Sequence, residues 1–372
     1  MNIIYVITGM SVGGAEMQLA LLAAKMVQRG NRVLIISLSG EVQVAVDDKI
    51  TIKSLSMSKN PLSMVSALFK ASKIISEFKP DIVHSHMFHA NVLSRLLRLF
   101  KSFPVLISTA HNSNEGGALR MLAYRLTENI PDLSTNVSPD AVAAFVKKKA
   151  VSAGNMVAVY NGIDTNKFKY SHFLRESIRS DLSIDVNTDV IFSVGRLVDA
   201  KDYPNLIDAY NHLVKNNLLM NKTKLVIVGT GPLEAALKSL VEDYDLSADV
   251  LFLGARDDVE QLFNIADVFV LASQWEGFGL VVAEAMACNR LAIGTDSGGV
   301  KDVIGPCGML VPIKNPVALA EAIAHYLQLP LSERDALGYA GRKRIENKFS
   351  IELIVDQWID IYLELIERKV NS

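Results

Sequence analysis

The segment Glu276-Gly-Phe-Gly-Leu-Val-Val-Ala-Glu284 places two carboxylates eight positions apart around a glycine-rich turn. A strand expected over Asp267–Leu271 leads in and an apolar helix expected over Leu280–Ala287 follows, so Glu276 falls in the loop and Glu284 about one turn inside the helix. A helix start offers free N–H groups and a partial positive charge, and the glycines let a ligand approach the backbone closely. Upstream, Phe192-Ser-Val-Gly-Arg196-Leu-Val-Asp-Ala-Lys201-Asp-Tyr-Pro204 puts an Arg and a Lys in the loop after another apolar strand, with Pro204 at a favoured helix start. Guanidinium grips a phosphate through a bidentate fork and ammonium adds a point charge. Amides and cations suit an anion, carboxylates suit hydroxyls, and a nucleotide-sugar requires both.

Other runs carry side chains capable of competing chemistry. His84-Ser-His86-Met-Phe-His89 has metal-capable side chains but no carboxylate nearby in sequence, and a strand continued that far is read as sending His84 and His86 to opposite sides. His86 is instead expected at the carboxyl end of a strand, where open parallel sheets bind ligands. His111, in Ser108-Thr-Ala-His111-Asn112, takes the equivalent place after the next strand. Asp243-Tyr-Asp245 has the spacing of a metal-binding carboxylate pair, yet it closes a helix expected over Leu233–Tyr244 and reads as solvated. No essential metal and no cofactor are expected. The loop Gly9-Met-Ser-Val-Gly13-Gly14-Ala15-Glu16 lacks the Gly-x-Gly-x-x-Gly spacing, and the second strand ends in Ser37-Leu-Ser39 without an acidic ribose anchor, which argues against an NAD enzyme. Cys288 and Cys307 give neither a disulfide framework nor a zinc spacing.

These loops need rigid strands behind them. Strands are expected at Ile3–Ile7, Arg32–Ser37, Asp81–His84, Val105–Ser108 and Leu133–Asn136, then at Val190–Val194, Lys224–Val228, Val250–Leu253, Asp267–Leu271 and Leu291–Gly294. Helical patterns alternate with them, which specifies α/β architecture with two parallel sheets covered on both faces. A chain of 372 residues exceeds one usual core. The boundary is set near Asn161-Gly-Ile-Asp164, where Asn-Gly signals a turn, giving domains over 1–165 and 166–350. Residues 1–170 carry 19 Lys and Arg against 11 Asp and Glu, net +8, and the remainder is net −10. The basic half points to an anionic partner, and Arg95, Arg98 and Lys101, at helical spacing among apolar residues, make an anionic bilayer the candidate. No apolar run approaches the ~18 residues of a membrane span, and Met1–Ile7 reads as a first strand, not a signal peptide. The expected location is therefore cytoplasmic, with peripheral contact at the inner face of the plasma membrane. Nucleic acid is not an expected partner.

Together with Gly229-Thr-Gly231-Pro232 and Phe252-Leu-Gly254, these motifs resemble, in order over nearly the whole chain, the family 4 retaining glycosyltransferases of the GT-B fold. The resemblance implies two Rossmann-like domains facing a central cleft, with a C-terminal helix over about 351–372 crossing back to the first. It implies transfer of a sugar, with retention, from a nucleotide-sugar to a glycan acceptor, in bacterial polysaccharide or O-antigen assembly; the basic half adds a lipid-linked acceptor, and a uridine donor is expected from its frequency there. His111, Arg196, Lys201 and Glu276 are then the catalytic candidates. Gly14, Gly229, Arg256, Phe278, Gly279, Leu280 and Glu284 are the candidates for donor binding. A GT-B sugar-nucleotide isomerase, such as a non-hydrolysing 2-epimerase, is the alternative. One departure from the family pattern is Cys288-Asn289-Arg290-Leu291, where Gly and Pro are usual; Asn also suits the left-handed turn ending a helix.

Overall fold

The computed structural model describes residues 1–58 and 60–371. Internal contacts divide it into one unit of Met1–Gly162 with the chain from Ile351 onward, and a second of Ile163–Ser350. The first contains β1 (Asn2–Ile7), α1 (Gly14–Gln28), β2 (Arg32–Ser37), β3 (Thr51–Ser54), α2 (Pro61–Phe78), β4 (Ile82–His86), α3 (Phe88–Phe100), β5 (Val105–Ala110), α4 (Ala118–Leu126), β6 (Leu133–Asn136), α5 (Pro139–Lys147) and β7 (Val157–Ala158). The second begins with α6 (His172–Asp181), β8 (Asp189–Val194), α7 (Tyr203–Lys215), β9 (Thr223–Val228), α8 (Glu234–Asp243), β10 (Val250–Phe252) and α9 (Val259–Leu262). It continues through β11 (Val268–Leu271), α10 (Leu280–Ala287), β12 (Leu291–Thr295), α11 (Val300–Ile304), β13 (Met309–Val311), α12 (Pro316–Gln328) and α13 (Leu331–Phe349). The last helix, α14 (Ile351–Val370), returns to the first unit.

Both sheets are parallel, ordered β3-β2-β1-β4-β5-β6-β7 and β10-β9-β8-β11-β12-β13. Continuous apolar strands such as Ile3-Ile4-Tyr5-Val6-Ile7 require cover on both faces. Ile3, Tyr5 and Ile7 pack with α1 and with Trp358 and Tyr362 of α14, whereas Ile4 and Val6 pack with α2 and with Leu93 and Leu97 of α3. Lys25–Glu352 and Arg29–Asp356 ion pairs, at 3.0 and 2.7 Å, trim the α1–α14 seam. Strand order reverses between β1 and β4 and between β8 and β11. Loops leaving neighbouring strands diverge there, which opens a crevice at the carboxyl ends. Arg196 and Lys201 lie beyond β8, and Glu276 lies beyond β11, so the second reversal places the chemistry anticipated from sequence.

Three strands, β3, β7 and β13, escape the sequence reading. All are edge strands of two to four residues. Their conformation comes from pairing with a neighbour, and so short a run carries no periodic signal.

The basic outer face expected on α3 is not present. Arg95 is fully buried, donating to the Ser108, Thr127 and Ser134 hydroxyls at 3.3, 2.9 and 3.2 Å. Its guanidinium lies 5.0 Å from the Tyr124 ring centre. Arg98 pairs with Asp132 at 3.1 Å. Helix α3 lies on β1, β4 and β5 with α2 and α4 in contact with it, so little of its surface reaches solvent. The hydroxyls of β5 and β6 solvate a cation that sequence periodicity assigns to the outside. Among the described residues no helix is long and apolar enough to cross a membrane.

Candidate active site

In the second unit the strand-order reversal brings the two motif loops together. After β8 the chain makes a short helical turn over Asp199–Lys201, and Asp202 adopts a left-handed conformation before α7 begins. The Gln274 amide, in the loop after β11, donates to the Ala200 carbonyl at 2.9 Å. This backbone clamp sets Lys201 Nζ 2.5 Å from Glu276 Oε1. The buried Ser273 hydroxyl donates to that same oxygen at 2.7 Å. Thr295 in turn donates to the Ser273 carbonyl at 2.5 Å. Glu276 Oε1 thus accepts from two donors. Sequence reasoning missed Ser273, because nothing in its spacing distinguishes it from any loop serine. Arg196 is exposed and makes no ion pair with any described residue, which leaves its fork for an external anion.

Gly279, left-handed at φ 90°, precedes α10, whose first residue is Leu280. Two glycines allow backbones to meet around these loops. A Cβ on Gly229 would overlap the Gly195 carbonyl, and one on Gly298, at φ 60°, would overlap the Glu276 carbonyl. The segment after β12 therefore braces the Glu276 loop. Glu284 sits inside α10, and burial raises its carboxyl to about 7, opposed by Lys167 and Lys201. Two donor-binding candidates are engaged otherwise. The Phe278 ring is buried in edge contact with Phe349, 5.5 Å between centres. Arg256 is forked onto Asp258 at 2.8 and 2.7 Å. Asn289 takes the left-handed turn after α10 at φ 59°. Asp243 ends α8 and Asp245 follows it, both exposed.

In the first unit, Gly14 is the exposed first residue of α1. The expectation that His84 and His86 point to opposite sides is wrong, since β4 runs through His86 and residues two apart on a strand share a face. Their rings lie 4.1 Å apart between centres. His84 is structural, its Nδ1 2.7 Å from the Tyr362 hydroxyl and its Nε2 2.7 Å from the Thr109 hydroxyl. His86 Nδ1 meets His111 Nε2 at 3.0 Å. Burial lowers all three rings, His84 and His86 well below the ordinary range and His111 to about 4. The His111 amide donates to Glu115 Oε1 at 2.9 Å, and the Tyr124 hydroxyl donates to Glu115 Oε2. Burial raises Glu115, against those two bonds. Glu115 was also missed, because its partners come from β5 and α4. Among the described residues no group of three His, Cys, Asp or Glu side chains gathers as metal ligands.

The family described as Glycosyl transferases group 1 matches residues 175–344, and Glycosyltransferase Family 4 matches residues 12–167. The UDP-Gal:alpha-D-GlcNAc-diphosphoundecaprenol alpha-1,3-galactosyltransferase of Escherichia coli is 25% identical over 90% of this chain and 89% of its own. The capsular polysaccharide biosynthesis glycosyltransferase CapM of Staphylococcus aureus is 26% identical over 81% of each. Anabaena HepE, solved in complex with UDP and glucose, superposes with a TM-score of 0.82 at 20% identity, covering 98% of this chain and 100% of that one. Two Rossmann-like parallel-sheet units and the loops between strand and helix define a GT-B glycosyltransferase. The chain belongs to glycosyltransferase family 4.

Proposed function

We propose that this protein moves a hexosyl residue from a UDP-sugar to a lipid-linked glycan acceptor, with retention and without a metal ion, in cell-surface polysaccharide assembly. The observation that carries the reading is the β8–β11 cluster, where exposed Arg196, the Lys201–Glu276 pair and the start of α10 meet at one strand-order reversal. The largest catalytic contribution is electrostatic stabilisation of the departing diphosphate, supplied by Arg196, Lys201 and the amides around Gly279 and Leu280. Glu276 holds sugar hydroxyls, and Glu284 holds the ribose. His111, in the first unit, is the remaining catalytic candidate. The acceptor hydroxyl attacks on the face from which the diphosphate leaves, and the leaving phosphate takes its proton. The E. coli and Anabaena relatives, named for UDP-Gal and solved with UDP, favour uridine; the diphosphoundecaprenol of the former favours a lipid-linked acceptor. Peripheral membrane contact rests on the +8 charge of residues 1–170 and on that acceptor, no longer on α3. The isomerase alternative is not favoured, because the matching families are transferases.

The test is incubation with a panel of nucleotide-sugars, with and without polyprenyl-diphosphate glycans, following nucleoside diphosphate release and the anomeric configuration of the product. Acceptor-dependent UDP release with retention is expected. Epimerised nucleotide-sugar formed without acceptor would replace the reading with the isomerase.

A further inference from the structure

Helix α4 carries apolar side chains on both of its faces. Met121 and Tyr124 are buried in a cluster with Phe145 of α5 and with Val151 and Met156. Leu119, Leu122 and Leu126 recur at i, i+3 and i+7, which gathers them in a stripe about 60° wide on the opposite face. They are 83%, 51% and 75% exposed. Isolated surface leucines are ordinary, but three in one stripe with a charged border mark a contact surface.

The border indicates what covers the stripe. Lys147 ends α5, and Lys148 and Lys149 follow it beside α4. Lys148 Nζ donates to the Ser113 carbonyl, in the loop before α4, at 2.8 Å. Arg125 of α4 donates to the Ser152 hydroxyl just beyond the lysines. Between residues 113 and 152 Arg120, Arg125, Lys147, Lys148 and Lys149 are exposed, whereas Glu115, Glu128, Asp132 and Asp140 are buried or half-buried. Two of those acids are already answered, Glu128 by Arg125 at 2.7 Å and Asp132 by Arg98 at 3.1 Å. The charge shown to solvent around the stripe is therefore cationic. An anionic bilayer meets both demands at once, its acyl boundary taking leucines and its headgroup phosphates taking lysine and arginine.

We infer that α4 is a membrane-docking helix, lying flat in the interface of an anionic bilayer with Leu119, Leu122 and Leu126 inserted and Lys147–Lys149 at the phosphates. Its service to a lipid-linked acceptor rests on the function proposed above; the docking itself does not.

Flotation with vesicles of phosphatidylcholine and about one-third phosphatidylglycerol tests it. Changing all three leucines to Gln should lower partitioning about 100-fold. Changing Lys147, Lys148 and Lys149 to Gln should lower it about 100-fold at low salt and much less at high salt, where the charges are screened. Leu119→Trp adds a reporter whose emission should move to shorter wavelength on the vesicles and be quenched by brominated acyl chains. Trp275 and Trp358, read in the unsubstituted protein, supply its background. A folded triple-leucine variant that partitions like the wild type, or an unquenched reporter, overturns the proposal. Self-association that the leucine changes abolish, in a protein that ignores vesicles, would give the stripe to a second copy and overturn it equally. If the triple-leucine variant does not fold, the reporter and the lysine variant decide. Turnover on a polyprenyl-diphosphate glycan in the vesicles should fall about tenfold in the leucine variant, and turnover on the same glycan with a short water-soluble tail should not change. Failure of the wild type on both acceptors would sink the acceptor reading while flotation still judged the docking.

Discussion

At the residue scale, the Lys201–Glu276 contact changes how the two loops should respond to mutation. Read from sequence, Lys201 belongs to the phosphate and Glu276 to the sugar. At 2.5 Å they share one oxygen, with Ser273 as third member. Arg196→Ala and Lys201→Ala should each cost ~2–4 kcal/mol in the transition state, the range for losing one donor to developing charge. The Lys201→Ala and Glu276→Ala double mutant should be non-additive by ~1–3 kcal/mol, since each single change already leaves the other group unpaired. Steady-state kinetics of the cycle checks this, and additive effects would mean that the pair dissolves when donor binds. Glu276→Ala should lower transfer about 10²–10³-fold, still measurable, and leave UDP affinity within a few-fold.

Glu284 supplies the pH dependence. Its carboxyl, raised to about 7 by burial, is largely protonated at pH 6 and ionised at pH 8. In the proposed function a ribose hydroxyl donates to the ionised form, so UDP binding should release a proton at pH 6, and affinity should rise with pH through 7. The fold holds the extra proton between the ordinary carboxyl value and about 7, so this group makes the folded state less stable as pH rises across that window. Calorimetric titration in buffers of different ionisation heat measures the released proton. Glu284→Gln should weaken the dependence and leave that of the terminal phosphate of UDP, which ionises near pH 6; equal slopes in the two proteins would deny the ribose contact.

At the element scale, backbone proximity and buried polar groups give the predictions. Gly298→Ala forces a Cβ onto the Glu276 carbonyl at a left-handed position, so it should cost ~3 kcal/mol or more of stability and displace the Glu276 loop. Chemical denaturation and turnover together test it; a stable, active variant would show that the segment after β12 gives way. Arg95→Gln should lower the unfolding temperature, because hydroxyls and carbonyls arranged around a guanidinium lose their donors. Vesicle flotation should not distinguish that variant from the wild type. Ten strands and the long helices were legible from apolar runs and periodicity. The edge strands β3, β7 and β13 were not, and neither was the burial of α3, since a basic stripe has the same sequence whether it meets water or buried hydroxyls.

For the whole molecule, activity should survive EDTA if Arg196, Lys201 and the α10 amides carry the diphosphate charge; loss restored by magnesium or manganese would assign the charge to a metal ion. The order of motifs along the chain, the alternation of strand and helix, and the glycine-bounded loops were determined by the sequence itself. Each depends on residue type and short-range spacing, which physical chemistry translates directly into conformation. Partnership was decided only by tertiary structure. Ser273 and Lys201 share an oxygen of Glu276 because β8 and β11 become neighbours at a strand-order reversal. His86 meets His111 because β4 pairs with β5. Glu115 reaches Tyr124 because the His111 loop folds back on α4. Side-chain geometry over a few ångströms is fixed by packing between segments distant in sequence, and local spacing carries no record of it.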